Sequence, residues 1–206
     1  MEYGIIKDGL IFNQQKENKM EKIKIFALFG ESGAGKDTIQ RWVVSHIPNT
    51  KGIVSCTTRP KRDYENDGKD YHFLTTDRFA EKILDGSMLE ATSFNDWHYG
   101  TSLDELDPDK INIGVFNIQG IECLLEDSRL WVIPVYVFVK DKERLIRALN
   151  REEEPNCLEI CRRFQTDYKD FMDIPFDYRT IFNNGAAIDG DKGKQDAVKF
   201  LLTLFG

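Results

Sequence analysis

No stretch of this 206-residue sequence approaches the ~20 consecutive apolar residues of a membrane-spanning helix. The first twenty residues, MEYGIIKDGLIFNQQKENKM, lack the apolar core of a secretion signal. Excess positive charge is also missing. With 28 Lys and Arg against 35 Asp and Glu, the formal net charge is −7. That argues against a polyanion partner such as DNA, which needs a broad basic surface. A small phosphorylated ligand needs only a local basic cluster. Cysteine is scarce: Cys56, Cys123, Cys157 and Cys161 form no CxxC pair, and the three histidines lie far from Cys157 and Cys161 along the chain. Cys157 and Cys161 share one helical face, but a zinc site would need two more soft ligands beside them. The expectation is four free thiols in a reducing compartment. There is no internal repeat and no low-complexity tract. The reading is a soluble cytoplasmic chain, long enough for one core plus a small inserted lobe.

What is present is an alternation of short apolar runs and helical patterns. IKIFALF (23–29) ends at Gly30 and reads as a buried strand. DTIQRWVVSH (37–46) reads as a helix closed by Pro48 and Asn49. Strands are expected at 111–118, 132–139 and 179–183, with helices at 119–127, 141–151 and 193–204. Such alternation implies a three-layer α/β core with a mostly parallel sheet covered on both faces. The polar, turn-rich stretch 60–75 breaks the rhythm and ends in the alternating YHFLT, as an inserted antiparallel lobe would.

The most specific motif is GESGAGKDT: Gly30, Glu31, Ser32, Gly33, Ala34, Gly35, Lys36, Asp37 and Thr38. It has the GxxxxGK spacing of a phosphate-binding loop, placed after a strand and before a helix. The glycines let backbone N–H groups turn onto phosphate oxygens, and the helix N-terminus adds favourable dipole charge. Lys36 is expected to face solvent in this cradle and supply a point charge to the outer phosphates of the nucleotide. A Ser or Thr hydroxyl usually follows that lysine and serves Mg²⁺. Here Asp37 stands there, and its carboxylate is a hard oxygen donor able to do the same.

A second constellation runs from Ser55 to Phe73, SCTTRPKRDYENDGKDYHF. Arg59, Arg62 and Tyr71 combine two guanidinium forks with a phenol, which suits a phosphate monoester. A kinase needs such a second anion site for its acceptor. With these residues in view, the sequence resembles guanylate kinase. The TTR-x-x-R-x-x-E-x-x-G-x-D-Y-x-F pattern is complete in Thr57, Thr58, Arg59, Arg62, Glu65, Gly68, Asp70, Tyr71 and Phe73. MLEATSFNDWHYGTS resembles the second acceptor motif through Glu90, Tyr99, Gly100 and Thr101, and FDYRTIFNN resembles the segment beside the adenine pocket. The likeness runs from about Ile23 to the C-terminus.

The resemblance implies transfer of a phosphoryl group from ATP to GMP or dGMP, with Mg²⁺ as cofactor. It implies that Arg59, Arg62, Tyr71 and Tyr99 hold the GMP phosphate. Ser55, Glu90, Gly100, Thr101 and Asn117 would sit around the base, and Asn183 beside the adenine. A carboxylate at Glu90 would accept the adjacent imino and amino protons of guanine; adenine presents a ring acceptor there. Arg151 and Arg163, then Arg147, would be the lid arginines that meet the transferring group, with Arg162 left to helix salt bridges. Two departures stand in GVFNIQG, where Val115 and Asn117 replace the family's two aspartates. Asp37 would restore the acid on the metal side. Other acceptors remain as alternatives: another nucleoside monophosphate, or ribose 1,5-bisphosphate, whose kinase has a similar GKD loop. So does a catalytically inactive binding module of the same fold. The expected layout is an extension at 1–22 and one domain at 23–206, with a GMP-binding lobe near 55–103 and a lid near 147–165. Monomer or homodimer is left open.

Overall fold

A computed structural model describes residues 22–63, 65–94, 96–151, 153–183 and Thr203. The expected helix at 193–204 and the extension at 1–22 lie outside the described residues, apart from Lys22 and Thr203. The chain begins with strand β1 (Ile23–Phe29), helix α1 (Lys36–His46) and strands β2 (Thr50–Gly52), β3 (Cys56–Thr57) and β4 (His72–Phe73). Helix α2 (Thr76–Leu84), β5 (Met88–Phe94), β6 (Trp97–Ser102) and β7 (Ile111–Val115) follow. Then come α3 (Ile118–Glu126), β8 (Leu130–Phe138), α4 (Asp141–Leu149), α5 (Cys157–Asp170) and β9 (Arg179–Phe182).

The main sheet has the order β2-β7-β1-β8-β9, and every pairing in it is parallel. β1 lies at its centre. Successive side chains of a strand point to opposite faces, so β1 feeds two cores. Phe26 and Leu28 pack with Ile39 and Val43 of α1, and Ile25, Ala27 and Phe29 pack with Ile121 and Leu124 of α3. That double burial is why IKIFALF reads as a continuous apolar run rather than an alternating one. The carboxyl ends of the strands then carry the phosphate loop after β1, Asn117 after β7 and Asn183 after β9, the usual location of a ligand in an open parallel sheet.

The inserted lobe is a second sheet, β4-β3-β6-β5, covered by α2. Its expected antiparallel character holds for β3–β6 and β5–β6, but β3 and β4 pair in parallel. The reason is local: the turn-rich segment 58–71 crosses over and brings His72 alongside Cys56 in the same direction. Strand β7 stops at Val115, shorter than expected, because Asn117 caps α3.

Candidate active site

The phosphate loop is built by three glycines with positive φ: Gly30 (146°), Gly33 (82°) and Gly35 (86°). At Gly30 a Cβ would lie 2.7 Å from the carbonyl oxygen of Val137, and at Gly33 it would lie 2.9 Å from that of Arg144. Side chains are thus excluded both by conformation and by close approach of neighbouring backbone. Helix α1 starts at Lys36 with Asp37 in its first turn.

Lys36 corrects the expectation of a solvent-facing side chain. Its ammonium is folded back into the loop, donating to the carbonyl oxygens of Gly30 (2.7 Å) and Glu31 (3.1 Å). Burial is the largest influence on it and pulls its pKa down, against the carboxylates of Asp37, Asp167 and Glu31.

In the lobe, Arg59 makes a fork-to-fork pair with Glu65, Nη1 to Oε2 at 2.8 Å and Nη2 to Oε1 at 2.6 Å. Glu65 also accepts from the backbone N–H of Arg62 (2.9 Å), so one carboxylate orients both arginine-bearing residues. The Arg59 guanidinium lies 5.2 Å from the centre of the Tyr71 ring, and Tyr71 meets Tyr99 edge-on at 6.1 Å. Burial, and then the nearby Asp37 carboxylate, push the Tyr71 phenol up to about 12. It stays a neutral hydrogen-bond donor at physiological pH.

Glu90 and Thr101 are cross-strand partners on β5 and β6. The Thr101 hydroxyl donates to Glu90 Oε1 at 2.8 Å. Glu90 is buried, and burial pushes its pKa up to about 7 against that single hydrogen bond. Asn117 arrives from the core: its Oδ1 accepts from Gly120 N–H (2.7 Å) as the cap of α3, and its Nδ2 donates to Thr92 Oγ1 (2.9 Å). A Cβ on Gly120 would lie 3.1 Å from both Asn117 Oδ1 and Glu90 Oε2, so the two side chains converge on one spot. Gly100 keeps β6 against β5, since a Cβ there would meet the Glu90 carbonyl oxygen at 2.5 Å. Ser55 precedes β3, its carbonyl accepting from His72 N–H (2.9 Å).

The segment from α4 into α5 adds further residues to the site. Ser32 and Gly33 of the loop, Arg62 of the lobe, and Arg151, Glu159 and Arg163 of the lid line one pocket. Arg162 and Arg163 both pair with Glu159, at 2.7 and 2.8 Å, which holds that carboxyl down at about 2. Arg162 is thus a helix ion pair, as expected, with Glu159. Arg147 and Asn183 sit against the loop itself. Arg147 Nη2 donates to the Asn183 carbonyl oxygen and Asn183 Nδ2 to that of Ala34, each at 2.8 Å.

With this geometry in view, the comparisons with known proteins decide the family. The guanylate kinase family model matches residues 22–187. The chain belongs to the guanylate kinase family. It is similar to the guanylate kinase of Thermotoga maritima, at 44% identity over 79% of this chain and 81% of that protein. It is also similar to the guanylate kinase of Helicobacter hepaticus, at 30% identity over 79% and 84% of the two chains. The fold is shared with the crystal structure of guanylate kinase from Anaplasma phagocytophilum, with a TM-score of 0.65 at 20% identity over 90% of this chain and 87% of that one.

Four residues near the site escaped the sequence reading: Thr92, Arg144, Glu159 and Asp167. A signal existed for each. Thr92 is two residues from Glu90 and shares its strand face. Glu159 and Asp167 flank Arg163 at helical spacings of four, and Arg144 stands three before Arg147. All four cysteines are free thiols, as expected. Among the described residues no helix is long and apolar enough to cross a membrane.

Proposed function

We propose that this guanylate-kinase-family chain transfers the terminal phosphoryl group of ATP directly to GMP or dGMP. The observation that carries the reading is the pocket shared by loop, lobe and lid, where Gly33, Arg62, Arg151 and Arg163 face one space. Donor cradle, acceptor anchor and charge-stabilising arginines must meet there if a phosphoryl group is to pass in line.

In this reading the backbone from Gly30 to Thr38 cradles the ATP phosphates, with Asn183 bordering the adenine side. Lys36 leaves its loop carbonyls for the outer phosphates. Arg59, Arg62, Tyr71 and Tyr99 hold the GMP phosphate in place for its oxygen to attack. Arg151, Arg163 and Arg147 stabilise the charge that spreads over the equatorial oxygens. Glu90, ionised, accepts the imino and amino protons of guanine, with Thr101, Ser55, Gly100 and Asn117 around the base. Guanine then supplies the partners that a buried carboxylate otherwise lacks.

Asp37 is the residue that would hold Mg²⁺. It is exposed in the first turn of α1, and its charge reaches both Lys36 and Tyr71. A single carboxylate beside substrate phosphates is a common protein share of a magnesium site. Bound there, the ion would neutralise phosphate charge.

Residues 55–103 act as the GMP-binding lobe and 147–165 as the lid of a domain at 23–206. Closure of both excludes water as a competing acceptor. The reading places the chain in the cytoplasm, as a monomer or homodimer, with small nucleotides and no nucleic acid as partners. The test is a coupled assay across all common nucleoside and deoxynucleoside monophosphates and ribose 1,5-bisphosphate. GMP or dGMP should give the highest kcat/KM. Preference for AMP or for ribose 1,5-bisphosphate overturns the acceptor assignment.

A further inference from the structure

Arg144 of α4 and Asp167 of α5 form an ion pair (Nη1 to Oδ2, 3.1 Å) with both residues buried. Desolvating two charges is expensive unless the surroundings satisfy them. Here one residue of the phosphate loop supplies several of their partners, while Arg144 Nε is left without one among the described residues. Asp167 Oδ2 accepts from the backbone N–H of Ser32 (2.8 Å), and Oδ1 from the Ser32 hydroxyl (3.3 Å). Arg144 Nη1 donates to the Ser32 carbonyl oxygen (3.1 Å), while its Nη2 takes Asp141 (2.8 Å) and its guanidinium covers the Phe164 ring at 4.4 Å.

Both backbone polar groups of Ser32 are therefore held from outside the loop. In a trans peptide the carbonyl and the following N–H point in opposite directions. Arg144, by holding the Ser32 carbonyl, aims the Gly33 N–H away from itself, and Gly33 lines the shared pocket. Gly33 has no Cβ and a φ of 82°, so on its side of that peptide little steric resistance opposes a flip. Flipped, it would present a carbonyl oxygen where an anion is to bind. The same two side chains belong to the helical segments bearing the lid arginines. Arg147 lies three residues after Arg144, and Arg163 four residues before Asp167. Their charges also act on Lys36, Asp167 raising its pKa and Arg144 lowering it.

We propose that Arg144 and Asp167 are positioning residues that lock the Ser32–Gly33 peptide into its phosphate-binding orientation and join the loop to α4 and α5 as one unit. The inference rests on the kinase reading above. Apolar side chains can replace a buried ion pair with little loss of stability, but they cannot aim a peptide. The double variant Arg144→Met/Asp167→Leu should keep its Tm within a few degrees of wild type. Its KM for ATP, and its ATP Kd by calorimetry, should rise fivefold or more, with KM for GMP changed less than threefold. A folded double variant with less than a fivefold rise for ATP, or with ATP and GMP constants rising in parallel, overturns the assignment. Asp167→Asn keeps the shape and carries the same test should the double variant not fold: its ATP affinity should fall, and an ATP affinity equal to wild type overturns the proposal. A wild-type protein that binds ATP but phosphorylates no GMP defeats the acceptor assignment and leaves this ATP measurement decisive for the loop.

Discussion

Glu90→Gln is expected to stabilise the ligand-free protein at pH 8 while flattening its preference for GMP. The carboxylate is 9% exposed, accepts one hydrogen bond from Thr101, and is pushed by burial from an ordinary 4.5 up to about 7. Such a rise means that the ionised form costs the folded state about 3 kcal/mol. Below pH 4.5 the group is protonated in folded and unfolded chains alike and contributes no penalty. As pH rises from 4.5 to about 7 the unfolded chain ionises while the folded one does not, so stability falls, and above about 7 the loss is complete. Gln keeps an oxygen for Thr101 and carries no charge, but its amide protons need partners. A net gain of about 2 kcal/mol at pH 8 remains, or roughly 6 °C in Tm for a chain of this size. The gain should shrink toward pH 5. Guanine loses its charged acceptor, so kcat/KM for GMP should fall roughly 10- to 100-fold, with AMP much less affected. Thermal unfolding at both pH values and the GMP:AMP ratio of kcat/KM read the two halves. A variant less stable at pH 8, a Tm difference independent of pH, or an unchanged ratio would refute the reasoning.

Lys36→Ala should abolish transfer in a steady-state assay yet leave the far-UV circular dichroism unchanged, since the ammonium bonds only to carbonyls of its own loop among its described hydrogen bonds. Asp37→Ser should raise the Mg²⁺ concentration needed for half-maximal rate severalfold, and Asp37→Ser/Val115→Asp should recover part of it; a neutral Asp37→Ser in a magnesium titration reduces Asp37 to a helix-dipole acid. Asn117→Ala should lose about 1 kcal/mol in chemical denaturation, because its Oδ1 caps α3. Asn117→Asp keeps the cap and sets a second carboxylate beside Glu90, so it should sharpen the GMP:AMP ratio and move the alkaline side of the Glu90 titration upward, measured as the pH dependence of GMP affinity.

Asn117 also marks where sequence reasoning stopped short. Its residue type permits an amide flip that would present donors to the base. The fold forbids it, since Oδ1 holds Gly120 N–H and Nδ2 holds Thr92 Oγ1, and a flip would set donor against donor. Lys36 was expected to stand in solvent because spacing says nothing of where a long side chain rests before its ligand arrives. Its parking on Gly30 and Glu31 follows from carbonyls that only the folded loop turns inward.

By itself the sequence determined the parallel core, the phosphate loop and the acceptor pattern, because each is local. Doubly buried strands need unbroken apolar runs, a phosphate cradle needs glycines at set intervals before a helix, and the arginines and tyrosines of the lobe fall within one short segment. Tertiary structure alone decided the rest. The parallel β3–β4 pairing, the pocket shared by Arg62, Arg151 and Arg163, and the grip of Arg144 and Asp167 on Ser32 join residues distant in the chain. Asp167 and Ser32 are 135 positions apart. No periodicity carries that distance; only the packing of α4 and α5 over the end of β1 brings their charges to one peptide.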